Sequence, residues 1–310
     1  MGNVVPISGS VRDLGDLEGW VTSFERRLRI RNLSPRTVAL YGGVAREFAG
    51  WLAAERLPLD VAGITPAHVE GYVGQLQARC RPATVSVRFR ALQQFFKFLV
   101  KEEEIAASPM AKIETPMVPE VPVPVVSDDD IATLLRSCEG KDFENRRDMA
   151  ILRLFLDTGM RLSELAGLAV GDVDFVSDEA TVLGKGRRPR AIPFDDHTAV
   201  ALERYLRERA KHPWAKRSDA LWLAPKGLLS ASGIRQMLRR RARQLGLERL
   251  HPHMLRHTAA HHYAALGGQE TAMMRNFGWR SSAMPKRYGA SAADERAREE
   301  KRRLGLGNRF

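Results

Sequence analysis

The stretch FGWRSSAMPKRYGASA, residues 277–292, places one tyrosine directly after two cations and directly before a glycine. A core tyrosine needs apolar neighbours, whereas Tyr288 follows Lys286 and Arg287. A phenol has a pKa of about 10, so it attacks an electrophile only when nearby cations or a base assist its deprotonation. Tyr263 and Tyr205 lie within helical, largely apolar patterns, and Tyr41 and Tyr72 fall far from the other reactive candidates. Tyr288 is the candidate nucleophile.

Four further stretches could hold an anionic substrate. In HPHMLRHT, residues 251–258, Pro252 can open a helix that sets His253 and Arg256 on one face. Free N–H groups at such a start, with an arginine beside them, bind phosphate well. In TGMRLSEL, residues 158–165, an apolar helix stops at Gly159 and Arg161 begins the next one. Glu164 stands one turn on and could hold the guanidinium; a purely structural Arg–Glu pair is the plain alternative. GKGRRPR, residues 184–190, puts Lys185, Arg187, Arg188 and Arg190 on a glycine-permitted hairpin tip. IRQMLRRRARQLGL, residues 234–247, predicts an amphipathic helix with Arg235, Arg239, Arg240, Arg241 and Arg243 on or near its polar face. Each basic stretch could also be solvated surface. His257 and His261 share the i, i+4 spacing of a zinc metalloprotease helix, but Thr258 stands where that motif needs its glutamate, so no metal site is expected.

The elements that must position these groups divide the chain. Residues 1–15 read as a loose tail, and residues 16–107 as a small helical domain. Ser34-Pro35 and Thr65-Pro66 are helix-start signals. Val38, Tyr41, Ala45, Phe48 and Leu52 form one helical stripe, and Leu92, Phe95, Phe96 and Leu99 another. Residues 108–126 are a proline-rich linker. Residues 127–290 form a second domain, which Ser127 opens as a helix cap before three aspartates. DVDFVSDEATVLGKGRRPRAIPF predicts a sheet of two or three strands, and beyond Asp195 the pattern is helical almost to the end. Residues 291–310 read as a charged tail. A formal net charge of +12 points to a polyanionic partner. Two distant cysteines imply a reducing compartment, and no apolar run approaches a membrane span. The N-terminal residues lack a basic stretch followed by an apolar core, so no secretory leader is expected.

Taken in order, Arg161, Lys185, His253-x-x-Arg256, Trp279 and Tyr288 resemble the catalytic series of the tyrosine recombinase (phage integrase, Xer-like) family. The first lobe adds LSPRTVALYGGVAREFAGWL, which is similar to the family's core-binding domain. The resemblance implies a mainly α fold with a small antiparallel β-sheet: a helical core-binding domain plus a mixed α/β catalytic domain, forming a clamp around DNA. It makes Arg161 and Arg256 the phosphate clamp, Lys185 the acid for the leaving 5′-hydroxyl, and His253 a proton-transfer partner of the tyrosine. Tyr288 becomes the nucleophile. Trp279 stands where the family more often has histidine, and could donate its indole N–H or pack the site. Glu164 and His257 are supporting residues. DNA contacts are implied for Arg36, Thr37, Tyr41 and Arg88 in the first domain, and for Arg187, Arg188, Arg190, Arg235 and Arg239 in the second.

The same resemblance implies strand exchange through a 3′-phosphotyrosine link and a Holliday junction, with no metal, nucleotide or other cofactor. The expected partners are a double-stranded recombination site, a homotetramer on DNA from a free monomer, and a directionality factor or partner recombinase. The expected place is the cytoplasm, at the nucleoid, with no membrane. A type IB topoisomerase-like nicking and closing enzyme, or a non-catalytic DNA-binding regulator on the same scaffold, are the alternatives. Pro285 is expected to kink the segment before Tyr288 and Gly289 to give it a flexible exit; the tail either docks on a neighbouring protomer or frays as a solvated end.

Overall fold

The computed structural model describes residues 16–119, 123–184 and 189–305, without the side chains of 290–296 and 299. The chain divides between residues 121 and 122 into two compact units.

Among the described residues, the first unit holds four α-helices, α1 (Leu17–Ile30), α2 (Pro35–Ala54), α3 (Pro66–Arg79) and α4 (Pro82–Lys101), with a short 3-10 turn at Val61–Gly63. Three begin with proline at their first position, where the missing N–H has no intrahelical acceptor to lose. The Ser34 hydroxyl caps α2 by accepting from the Thr37 N–H at 3.2 Å. Val38, Ala45, Phe48 and Leu52 of α2 are buried with Leu92, Phe95, Phe96 and Leu99 of α4. Phe48 meets Tyr72 edge-on at 5.1 Å, and such geometry adds to the area the rings bury.

The second unit begins with α5 (Asp128–Arg136), capped by Ser127, then the central α6 (Phe143–Thr158) and the short α7 (Leu162–Ala166). Strands β1 (Val173–Asp174), β2 (Glu179–Leu183) and β3 (Pro189–Pro193) form an antiparallel sheet in that order, with Val182 opposite Arg190. Then come α8 (Asp196–Ala210), the two-residue strands β4 (Leu223–Ala224) and β5 (Gly227–Leu228), α9 (Ala231–Gln244), α10 (Pro252–Ala265), α11 (Glu270–Asn276) and α12 (Ala283–Leu304). The β4–β5 hairpin corrects the expectation of continuous helix beyond Asp195; strands this short carry no readable alternation. No helix among the described residues is long and apolar enough to cross a membrane.

Two expectations about the C-terminal segment are also corrected. Pro285 lies in the first turn of α12, where an N–H has no intrahelical partner, so it starts a helix and does not kink one. The helix also runs through Gly289 to Leu304, so Tyr288 is followed by ordered helix and not by a flexible exit.

Candidate active site

A cleft of about 650 Å³ in the second unit is lined by Arg161, Arg235, Arg239, His253, Arg256 and Trp279, with His251, Pro252, Leu250, Glu248, Arg249, Leu162 and Phe155. Its cations come from four places: the start of α7, the exposed face of α9, Arg249 in the loop that follows α9, and the first turns of α10.

Arg161 sits at the start of α7 because α6 ends at Gly159 in a left-handed conformation, φ 55°. A Cβ at Gly159 would run into the Phe277 ring, so the turn also needs glycine for space. The Arg161 guanidinium donates to Glu164 Oε1 and to the Gly278 carbonyl, both at 2.8 Å. Glu164 in turn accepts from two guanidinium nitrogens of Arg190, at 3.0 and 2.8 Å. Burial would push the Glu164 carboxyl up, but hydrogen bonds from Arg190 and Arg161 outweigh it and hold the group below the usual carboxylate range. The carboxylate is therefore ionised, and it fixes an arginine whose side chain keeps 38% of its surface exposed at the cleft.

Arg256 is held differently. Its guanidinium is buried and donates to the carbonyls of Gly159 and Phe277 at 2.6 Å each. It lies 5.5 Å from the Phe277 ring centre and 5.4 Å from that of Trp279. Burial first, and the charge of Arg161 second, pull its pKa down to about 10. It stays charged at neutral pH, and among the described residues its hydrogen bonds go to backbone carbonyls and not to a carboxylate, so its charge remains available to an anion entering the cleft.

Tyr288 forms the back wall of this arrangement and not its lining. Its side chain is 1% exposed. The ring stacks on Trp279 at 5.4 Å with planes 6° apart, and its hydroxyl meets Nδ1 of His257. Burial raises the phenol to about 12 against the lowering charges of Arg256 and Arg287. Lys286 and Arg287 are exposed. The cations expected to favour the phenolate are thus outweighed by burial in this state. His253 is exposed in the cleft, and its ring centre lies 4.2 Å from that of His257.

The sequence-derived site residues thus divide. Arg161, His253, Arg256 and Trp279 line one cleft with Arg235 and Arg239, and Tyr288, His257 and Glu164 pack around it. Arg190 is not a free DNA-facing cation: it is committed to Glu164 and to the Asn276 carbonyl at 3.2 Å. Arg88 is likewise bonded to Glu47 at 2.5 Å, and Arg241 is buried against Asp148. In α2, Arg36 is exposed, while Thr37 and Tyr41 are half-buried. Lys185, Arg187 and Arg188 lie outside the described residues. Gly278, with φ 62°, was not singled out by sequence; a Cβ there would press on Arg190 and Arg161. Its only signal is a glycine directly before Trp279. Among the described residues, no group of three or more His, Cys, Asp or Glu side chains is placed to hold a metal ion.

The site thus sets a buried tyrosine beside two anchored arginines and two paired histidines. The phage integrase family model matches residues 124–295, and the family's N-terminal SAM-like domain matches residues 20–105. The chain belongs to the phage integrase family of tyrosine recombinases. It is 30% identical over 264 residues to tyrosine recombinase XerC of Myxococcus xanthus, covering 82% of this chain and 87% of that one. It is 32% identical over 267 residues to XerC of Roseiflexus castenholzii, covering 83% and 84%. Among solved structures, XerH recombinase on a palindromic difH substrate, post-cleavage, superposes with a TM-score of 0.76 at 17% identity, covering 94% of this chain and 98% of that one. A lambda integrase dimer on a COC′ core site gives 0.69 at 16% identity, covering 88% and 95%.

Proposed function

We propose that this chain is a site-specific DNA recombinase that breaks and rejoins strands through a 3′-phosphotyrosine link on Tyr288. The observation that carries the reading is the single cleft in which Arg161, His253, Arg256 and Trp279 converge with Tyr288 at its back. Cleaving a phosphodiester concentrates negative charge on the non-bridging oxygens. Two arginines held in place before the substrate arrives stabilise that charge more in the transition state than in the ground state. Arg161 and Arg256 are so held, by Glu164 and by backbone carbonyls. Attack by Tyr288 exchanges one phosphoester for another, so rejoining needs neither nucleotide hydrolysis nor a metal. Lys185 takes the role of acid for the leaving oxygen on the family resemblance alone. Trp279 packs the nucleophile and cannot shuttle a proton, because an indole N–H only donates.

The DNA partner is supported by the exposed arginines of α9 and by the recombinase and integrase relatives, whose structures hold DNA. Arg235 and Arg239 contact phosphates flanking the scissile one, and Arg36 marks the first unit's contact. Residues 16–107 bind the core site, residues 108–126 link them to the catalytic residues 127–290, and the end of α12 docks on a neighbouring protomer. The working assembly is a tetramer on two duplexes, passing through a Holliday junction with a partner recombinase or directionality factor, in the cytoplasm at the nucleoid.

The test is to incubate the protein with nicked duplexes carrying a randomised core, recover covalently trapped DNA and sequence it. A shared core sequence, and strand exchange between two such duplexes, is expected. Relaxation of supercoiled plasmid without exchange at any recovered core would make the chain a nicking and closing enzyme. Binding without any adduct would make it a regulator.

A further inference from the structure

The group that touches the reacting oxygen of Tyr288 is His257. The phenol is closed off from solvent, so its hydroxyl must find its partner within the protein, and Nδ1 of His257 is that partner. His253 faces the open cleft and meets His257, one turn on, rather than the phenol. Trp279 covers the flat face of the Tyr288 ring in parallel, so the hydroxyl is held toward α10. For Nδ1 to accept the phenol's hydrogen, the imidazole must be neutral, with its own proton on Nε2.

The surroundings enforce that state. Burial comes first, then His253, Arg287, Arg256 and His251, and together they pull the His257 pKa down to about 4. The groups facing it are thus His253 and Arg256 on α10, His251 at that helix's cap, and Arg287 and the Tyr288 phenol on α12. A phosphodiester seated on Arg161 and Arg256 adds negative charge close to this cluster. It therefore makes His257 more basic only when there is DNA to cleave.

We propose that His257, and not His253, takes the Tyr288 proton during strand cleavage. The inference rests on the recombinase reading above. In the step, the Oη–H bond breaks and its proton passes to Nδ1, while the oxygen's electron pair forms the new bond to phosphorus. The bond from phosphorus to the 5′-oxygen breaks, and that oxygen leaves with the pair and takes a proton from a separate acid. On rejoining, the 5′-hydroxyl returns its proton to the conjugate base of that acid as its oxygen attacks phosphorus, the bond from phosphorus to the phenol oxygen breaks, and the departing phenol oxygen takes back the proton from His257.

His257→Asn tests this, because Oδ1 of asparagine can accept the phenol's hydrogen bond near the place of Nδ1 but cannot keep the proton. Single-turnover cleavage is measured on a nicked duplex recovered from the randomised pool, with DNA affinity and thermal melting measured in parallel. The expected result is unchanged affinity, cleavage slower by about 10²- to 10⁴-fold, and loss of the acidic limb of the pH–rate profile, a limb that His253→Asn retains. Asparagine cleaving at the wild-type rate or faster would overturn the inference, as would loss of the limb in His253→Asn alone. A wild-type chain that forms no adduct on any duplex overturns the recombinase reading itself. A measurement independent of this variant's folding is ¹⁵N-histidine titration of Tyr288→Phe. His257 should titrate well below 6.5 without DNA and higher with the duplex bound; a value unmoved by DNA would refute the coupling.

Discussion

Two buried carboxylates in the second unit each accept hydrogen bonds from two arginines, and only one of these four guanidinium groups opens onto the cleft. Asp148 is fully buried and accepts from Arg147 at 2.9 and 2.8 Å and from Arg241 at 2.8 Å. Other guanidinium N–H groups there donate to the Leu223 and Ser137 carbonyls and to Asn145. The Arg147 and Arg241 hydrogen bonds are made within the protein, so this cluster joins α6 to α9. Glu164 holds Arg190 just as firmly, but its other arginine opens onto the cleft. A carboxylate closed on both sides builds the fold; one left open on one side sets an arginine in front of a substrate. The difference lies in what the last guanidinium faces.

Breaking each cluster should therefore give opposite signatures. The largest effect on stability is expected from Asp148→Ala, about 3–5 kcal/mol in urea unfolding, because two buried arginines lose their counter-charge. A loss below about 1 kcal/mol would erase the distinction. Arg161→Ala should instead leave the unfolding midpoint nearly unchanged and slow cleavage by about 10²- to 10³-fold, measured on a trapped substrate. Glu164→Gln should fall between, costing about 1–3 kcal/mol and slowing cleavage through a loosened Arg161.

A smaller effect is expected on pH dependence. Between the ordinary histidine value of 6.5 and about 4, the unfolded chain binds a proton that folded His257 refuses, so stability should fall as pH drops through that window. Glu164, held low in the folded state, adds to the loss at more acidic pH. His257→Asn should flatten the upper part of that curve in pH-dependent melting. The smallest effect belongs to α9: Arg235→Ala should reduce the slope of log affinity against log salt by about 1, with cleavage at saturating DNA unchanged.

Local signals made much of this legible. The Ser34 cap, the apolar stripes of α2 and α4, and the stop at Gly159 before Arg161 all follow from spacing within one element. The order of the reactive residues was readable too, because each sits at a helix start or beside a glycine. Pairings across the chain were not. Arg190 reads as hairpin surface until Glu164, 26 residues away, is brought beside it. Arg241 reads as one more arginine on a basic helix until Asp148, 93 residues away, meets it. The same applies to Tyr288: its cationic neighbours in sequence are exposed, while the groups its ring and hydroxyl touch, Trp279 and His257, lie on the segment before α12 and on α10.

The central claim is that Tyr288 bonds to DNA from a site assembled around it. The direct measurement is mass spectrometry of the peptide–oligonucleotide adduct trapped on a nicked duplex. The adduct should sit on the peptide carrying Tyr288 and vanish in Tyr288→Phe while DNA binding persists. An adduct on another residue, or cleavage that survives Tyr288→Phe, would contradict the account.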